Sequence, residues 1–145
     1  MKYLIQTTSW NENKKALSEV RKKVFIEEQN VPEELEWDEY DQDCTHVLVT
    51  DEKNKPVACG RLKADGHIGR MAVLKDHRAT GIGKSMLNEL ISHAQSLHIK
   101  KVFLHAQISA ISFYEKQGFK VSSEEFMDAN IPHKSMEKTV TTETP

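Results

Sequence analysis

Near the middle of the chain an apolar run, residues 68–74, passes through Gly81 and Gly83 into a long amphipathic helix. In that helix Met86, Leu87, Leu90, Ile91, Ala94 and Leu97 recur at three- and four-residue spacing, as one buried face on a 3.6-residue period requires. A strand that becomes a helix through glycines leaves the first helical N–H groups unpaired at the positive end of the helix dipole. His77, Arg78 and Lys84 add cations to the same turn. The junction therefore predicts a site for an anionic group.

Three motifs compete for this junction. A P-loop is matched by Gly83-Lys84-Ser85, but it needs glycine where Arg78 stands. It also expects a magnesium-holding acid at the end of a neighbouring strand, and residues 101–105 end on His105. A dinucleotide fingerprint finds Gly81 and Gly83 but meets Met86 at its third glycine. The pattern R-x-x-G-x-G is matched at each fixed position by Arg78-Ala79-Thr80-Gly81-Ile82-Gly83.

The flanking sequence alternates strand and helix. Residues 3–8 predict a first strand. Ser9 or Asn11 caps a helix running to about Glu28, with Ala16, Leu17, Val20, Val24 and Phe25 on one face. Pro32 ends it. Residues 33–43 are strongly acidic with Leu35, Trp37 and Tyr40 among them. Two readings stand for that stretch: a solvated loop or frayed second helix, or a substrate-side lid that favours a cationic amine.

Residues 45–50 and 57–63 form a hairpin pattern, and Asp65-Gly66 is a second turn signal before the run at 68–74. Residues 101–105 predict a strand and 110–117 a short helix stopped by Gly118. Residues 119–121 and 133–138 close the order as strands. A helical crossover between the fourth and fifth strands implies a locally parallel pair in a mostly antiparallel sheet. The fold class is thus α+β, or mixed α/β.

At 145 residues the chain predicts one domain, residues 1–138, with a polar tail, residues 139–145, that frays. A net charge of −2 gives no general attraction to nucleic acid or anionic membrane, and no apolar run nears the ~20 residues of a membrane helix. The first six residues turn polar too soon for a signal peptide. Cys44 and Cys59 lack metal-ligand spacing and read as buried thiols in a reducing cytoplasm. The histidines show no metal-ligand spacing either.

A second motif lies one helix and one strand further on, in Ser112-Phe113-Tyr114-Glu115-Lys116-Gln117-Gly118-Phe119. Together with the loop at 78–83 it resembles the F-Y-x-x-x-G-F and R-x-x-G-x-G signatures of the GNAT N-acetyltransferase superfamily. Glu27-Glu28-Gln29-Asn30-Val31-Pro32 and Ile131-Pro132-His133-Lys134-Ser135-Met136 resemble its ElaA/YjcF-like bacterial branch.

The resemblance implies a GNAT fold: a twisted sheet with helices on both faces and a splayed β4–β5 pair. It also implies acetyl-CoA as donor and direct transfer to a primary amine on a small molecule or peptide. Pantetheine would pair with the backbone at Met71, Ala72 and Val73, which also offers an oxyanion donor. The pyrophosphate would rest on Arg78, Ala79, Thr80, Gly81, Ile82, Gly83, Lys84 and Ser85, with Gln107 and Phe113 near the cofactor. Arg78 and Lys84 stay open as ligands or surface cations.

Tyr114 stands where the family places the acid that protonates the departing thiolate; as a residue it serves equally to pack its helix on the sheet. A free alkylamine has a pKa of about 10, so a base or a dry pocket must make it neutral. Glu28 and His105 are the candidate bases, and Glu28 and His133 the candidate substrate contacts, each with a purely structural alternative. A homodimer is compatible with the resemblance. The rival functions are a non-catalytic acyl-CoA-binding sensor or scaffold and an ATP-binding protein.

Overall fold

The computed structural model describes residues 2–140. Its order is β1 (Leu4–Thr8), α1 (Trp10–Arg21), a π-helical stretch (Lys22–Glu28), α2 (Glu33–Glu36), β2 (Thr45–Thr50), β3 (Pro56–Leu62) and β4 (Ile68–Val73). There follow α3 (Ile82–Ser96), β5 (Lys101–Gln107), α4 (Ile111–Lys116), β6 (Lys120–Val121), β7 (Phe126–Asp128) and β8 (Ile131–Thr139).

Strands β1 to β4 form one antiparallel sheet in chain order; β5, β8 and β6 form a second, with β7 also paired to β8. Period-2 alternation assigns the faces. Val47 and Val49 join Met86, Leu87 and Leu90 of α3 in one core, whereas Leu48, Cys59 and Ala72 join Leu17 and Val20 of α1 in another. Helices thus cover both faces of an α+β fold.

The two sheets meet at the start of β4 and β5. His67 and Phe103 form one parallel bridge, and the Phe103 N–H donates to Gly66 O at 3.0 Å. Gly66 has φ +97°, and a Cβ there would lie 2.5 Å from Lys101 O. Any side chain at this turn would drive the sheets apart, so glycine is what lets them touch.

Several elements depart from the sequence reading. Ser9 does cap α1, accepting from the Glu12 N–H, but α-helical geometry stops at Arg21. Beyond it the turns widen: Gln29 N–H donates to Val24 O at 3.1 Å and Val31 N–H to Phe25 O at 2.8 Å. Leu97, expected on the buried face of α3, is its C-cap and 53% exposed. Strand β7 was not anticipated, because its hairpin turns through Ala129 and Asn130, both at positive φ, without the glycine that signals such a turn. Thr139 ends β8 and Val140 is buried, so the frayed segment loses its first two residues; residues 141–145 lie outside the described residues.

The acidic stretch opens with the short helix α2, as one of its two readings expects, and Glu33, Glu34, Glu39 and Asp43 are exposed. Glu36 and Asp41 are buried, and Arg21 donates to both at 2.7 Å. Arg61 donates to Asp41 at 2.7 Å and, with both terminal nitrogens, to Asp38 at 2.7 and 2.8 Å. Arg70 adds contacts to Glu36 and Asp38 at 3.2 and 3.3 Å. The Arg21 guanidinium lies between the rings of Trp10 and Trp37, 5.3 and 5.0 Å from their centroids. Three arginines from other elements thus pair with three of the seven acids of the stretch, Glu36, Asp38 and Asp41.

Candidate active site

Past the His67–Phe103 bridge, β4 and β5 diverge around a cleft of about 380 Å³. A β-bulge shapes its β4 wall. Arg61 pairs with Gly69 and Cys59 with Ala72, so Arg70 and Met71 together oppose Gly60. Arg70 takes φ +51° to make this possible. The Leu74 N–H points to Val57 O, so by strand alternation the Val73 carbonyl faces the other way, into the wedge.

Alternation also sorts the β5 wall. Leu104 and Ala106 are buried in the α3-side core, leaving His105 and Gln107 on the opposite face, toward α1. From the α3 side, Phe113 and Tyr114 of α4 pack against that core, and Tyr114 reaches the cleft. Burial pushes the Tyr114 phenol up to about 12. Its ring stands edge-on to Phe113 and Phe119, and among the described residues its hydroxyl has no hydrogen-bond partner. The phenol is protonated at neutral pH and free to donate.

At the open end, α3 begins without a side-chain cap. Gly81 sits at φ +86°, a conformation only glycine adopts without strain, and the first α-helical bond runs from the Ser85 N–H to Gly81 O at 3.1 Å. The amides of Ile82, Gly83 and Lys84 precede that bond and remain available. Residues Arg78, Ala79, Thr80, Gly81, Lys84 and Ser85 are exposed. A Cβ on Gly83 would lie 3.5 Å from Phe113 Cζ, so Phe113 packs beneath the loop. Lys84 forms no ion pair among the described residues, but Arg78 is engaged. It donates to both Glu28 oxygens at 2.6 and 2.7 Å and, through Nε, to Val73 O at 2.9 Å.

That pair changes how Glu28 can act. The Arg78 guanidinium holds its carboxyl below the usual range, and both oxygens are occupied. His105 is exposed on the cleft, 4.8 Å from His67 and 5.2 Å from Phe126 between ring centroids. Burial lowers its pKa first, then His133 and Lys63, against an opposing pull from Asp128. His133 is buried beside Phe126, and its Nδ1–H donates to Ile131 O at 2.7 Å. Gln107 donates to Gln29 Oε1 at 2.8 Å, tying β5 to the end of the π-helical stretch.

Lys63, His67 and Asp128 also line the cleft and escaped the sequence reading. For His67 the Asp65-Gly66 turn was the available signal, but its partner across the wedge is visible only once β4 and β5 are paired.

Residues 12–140 match the acetyltransferase (GNAT) domain model. The chain belongs to the GNAT acetyltransferase family. Among its relatives, the Bacillus subtilis uncharacterized N-acetyltransferase YjcF is 42% identical over 123 residues, covering 82% of this chain and 87% of that one. Bacillus subtilis YyaT is 40% identical over 127 residues, covering 83% and 85%. The crystal structure of Escherichia coli ElaA superposes with a TM-score of 0.84 at 25% identity, covering 94% of this chain and 99% of that one. Acetyl-CoA is the donor that GNAT acetyltransferases use. This GNAT chain has a loop that fits its diphosphate: exposed, uncapped, and with amide hydrogens ahead of the first helical bond.

Proposed function

We propose that this acetyltransferase moves an acetyl group to a primary amine that enters from the α1 side, with Tyr114 as acid and His105 as base. The supporting observation is their placement. Tyr114 approaches the wedge from the α3 side and His105 from the other, so amine and leaving thiol are served from opposite walls of one gap.

Bound acetyl-CoA would supply the thioester that makes the acetyl group transferable. The amides from Arg78 to Lys84 would hold its diphosphate, with Lys84 adding charge and Phe113 supporting the loop. Met71, Ala72 and Val73 would present edge amides to its pantetheine arm, once Arg78 gives up the Val73 carbonyl. Tyr114 would carry its proton at the phenolic oxygen until a thiolate needs it. A phenol at about 12 is a weak acid, yet a thiolate in the same dry wedge also gains basicity by desolvation.

His105, neutral at physiological pH, would accept the amine proton; Glu28, held ionised by Arg78, would position that arginine rather than act as base. His133, with its Nδ1–H committed to Ile131, would offer Nε2 to the acceptor from the same face.

The test is Tyr114→Phe, followed by thiol release with a responsive amine. Turnover should fall at least about 100-fold while coenzyme A affinity holds. His105→Gln should remove the rise of kcat/KM with pH that an imidazole held below its ordinary range produces. Unchanged turnover across pH in the Tyr114→Phe variant would reject the acid assignment.

A further inference from the structure

The charges that line the cleft are not all spent. Glu36 is buried under Arg21 and Arg70, and Arg61 is committed to Asp38 and Asp41. Two groups remain. Lys63 forms no ion pair among the described residues; its ammonium sits 3.7 Å from the centroid of the Tyr40 ring, a contact that leaves its formal charge uncompensated. Asp128 is exposed and forms none either.

They stand at opposite ends. The Lys63 N–H donates to His67 O at 2.9 Å, which places Lys63 at the closed end, beside the bridge to Phe103. Asp128 pairs with Ile131, two residues ahead of His133, and His133 pairs with Gln107 at the end of β5. Asp128 is therefore at the open end. Four strand steps separate Phe103 from Gln107, about 13 Å. Phe25, Val31, Leu35 and Ile131 give the same cleft apolar lining. A cleft with an anion-seeking end, apolar lining and a cation-seeking end selects for a ligand of the same pattern.

We propose that the acceptor is an amine that also carries an anionic group at the far end of an apolar spacer, its nitrogen beside Asp128 and its anion on Lys63. This rests on the acetyltransferase reading of the same cleft.

Three amines of one length make the test: 8-aminooctanoate, octylamine and 1,8-diaminooctane. Each is titrated calorimetrically into protein saturated with coenzyme A, then assayed with acetyl-CoA by thiol release. The wild type should favour 8-aminooctanoate at least about tenfold in kcat/KM over the other two. Lys63→Ala should erase that preference; Lys63→Glu should invert it toward the diamine. The proposal falls if the wild type prefers octylamine or the diamine, or if the Glu variant keeps the original ranking. It also falls if no ω-amino acid of four to ten carbons binds the loaded protein. Coenzyme A binding is read in a separate titration, so failure of the cofactor site would show there and not be mistaken for failure of this assignment.

Discussion

Two ionic constellations in this protein share bond lengths and little else. Arg21 meets Glu36 at 2.7 Å with side chains 1% and 4% exposed, whereas Arg78 meets Glu28 at 2.6 Å with both 39% exposed. In the first, Arg21, Glu36 and Asp41 have no water to return to, and the Arg61 Nε is buried without a partner among the described residues. Removing one member strands the others. In the second, each group is rehydrated as soon as the pair opens, so the contact adds little stability and breaks at little cost. Distance alone does not separate them; the surroundings do. One set ties α1, α2, β3 and β4 together, and the other leaves the Arg78 guanidinium ready to be exchanged.

The sharpest way to break this contrast is Arg21→Ala. It should destabilise the fold by about 3–5 kcal/mol in urea unfolding, because Glu36 and Asp41 stay buried without their donor. A loss below about 1 kcal/mol would show that water already reaches the cluster.

Asp38→Asn comes next, with a loss of about 1–2 kcal/mol, since Asp38 is only partly covered and its charge-assisted bonds are partly replaced by solvent. The wild type should show the same dependence in acid. Arg61 overcomes the cost of burial and holds the Asp38 carboxyl down at about 2, below its unfolded value of about 3.9. Its contribution is therefore complete above pH 4 and lost as pH falls toward 2. Urea midpoints taken across that window should fall for the wild type and fall less for the Asn variant; parallel curves would remove Asp38 as the source.

The smallest effect belongs to Glu28→Gln. Stability should stay within about 1 kcal/mol, while coenzyme A binds up to about fivefold tighter, since Arg78 no longer has to leave a carboxylate. Weaker binding by calorimetry would mean that the pair holds Arg78 in place for the diphosphate.

What was legible in the sequence was local. The α3 face, the Asp65-Gly66 turn and the Gly81 junction each carry their signal within a few residues, and α3 and both turns stand where expected. The two ionic sets were not legible. Arg21, Arg61 and Arg70 lie 15 to 34 residues from the acids they meet, and Arg78 lies 50 from Glu28. A run of acids looks the same whether solvated or neutralised. The π-helical stretch was equally silent, because Val24 and Phe25 keep helical spacing whichever turn width the packing selects. The two motifs point to the wedge and no periodicity does. Neither motif tells that Tyr114 and His105 flank it from opposite sides.

Among the described residues one bridge, His67 to Phe103, is all the ladder that joins the two sheets. Edge amides that a continuous sheet would have satisfied internally are left for a visitor, so the protein forgoes stability in its empty state and recovers it on occupancy. Mutations that zip these strands further would yield a hardier molecule with nowhere to work. Selection for thermal tolerance alone should drift toward that sealed form.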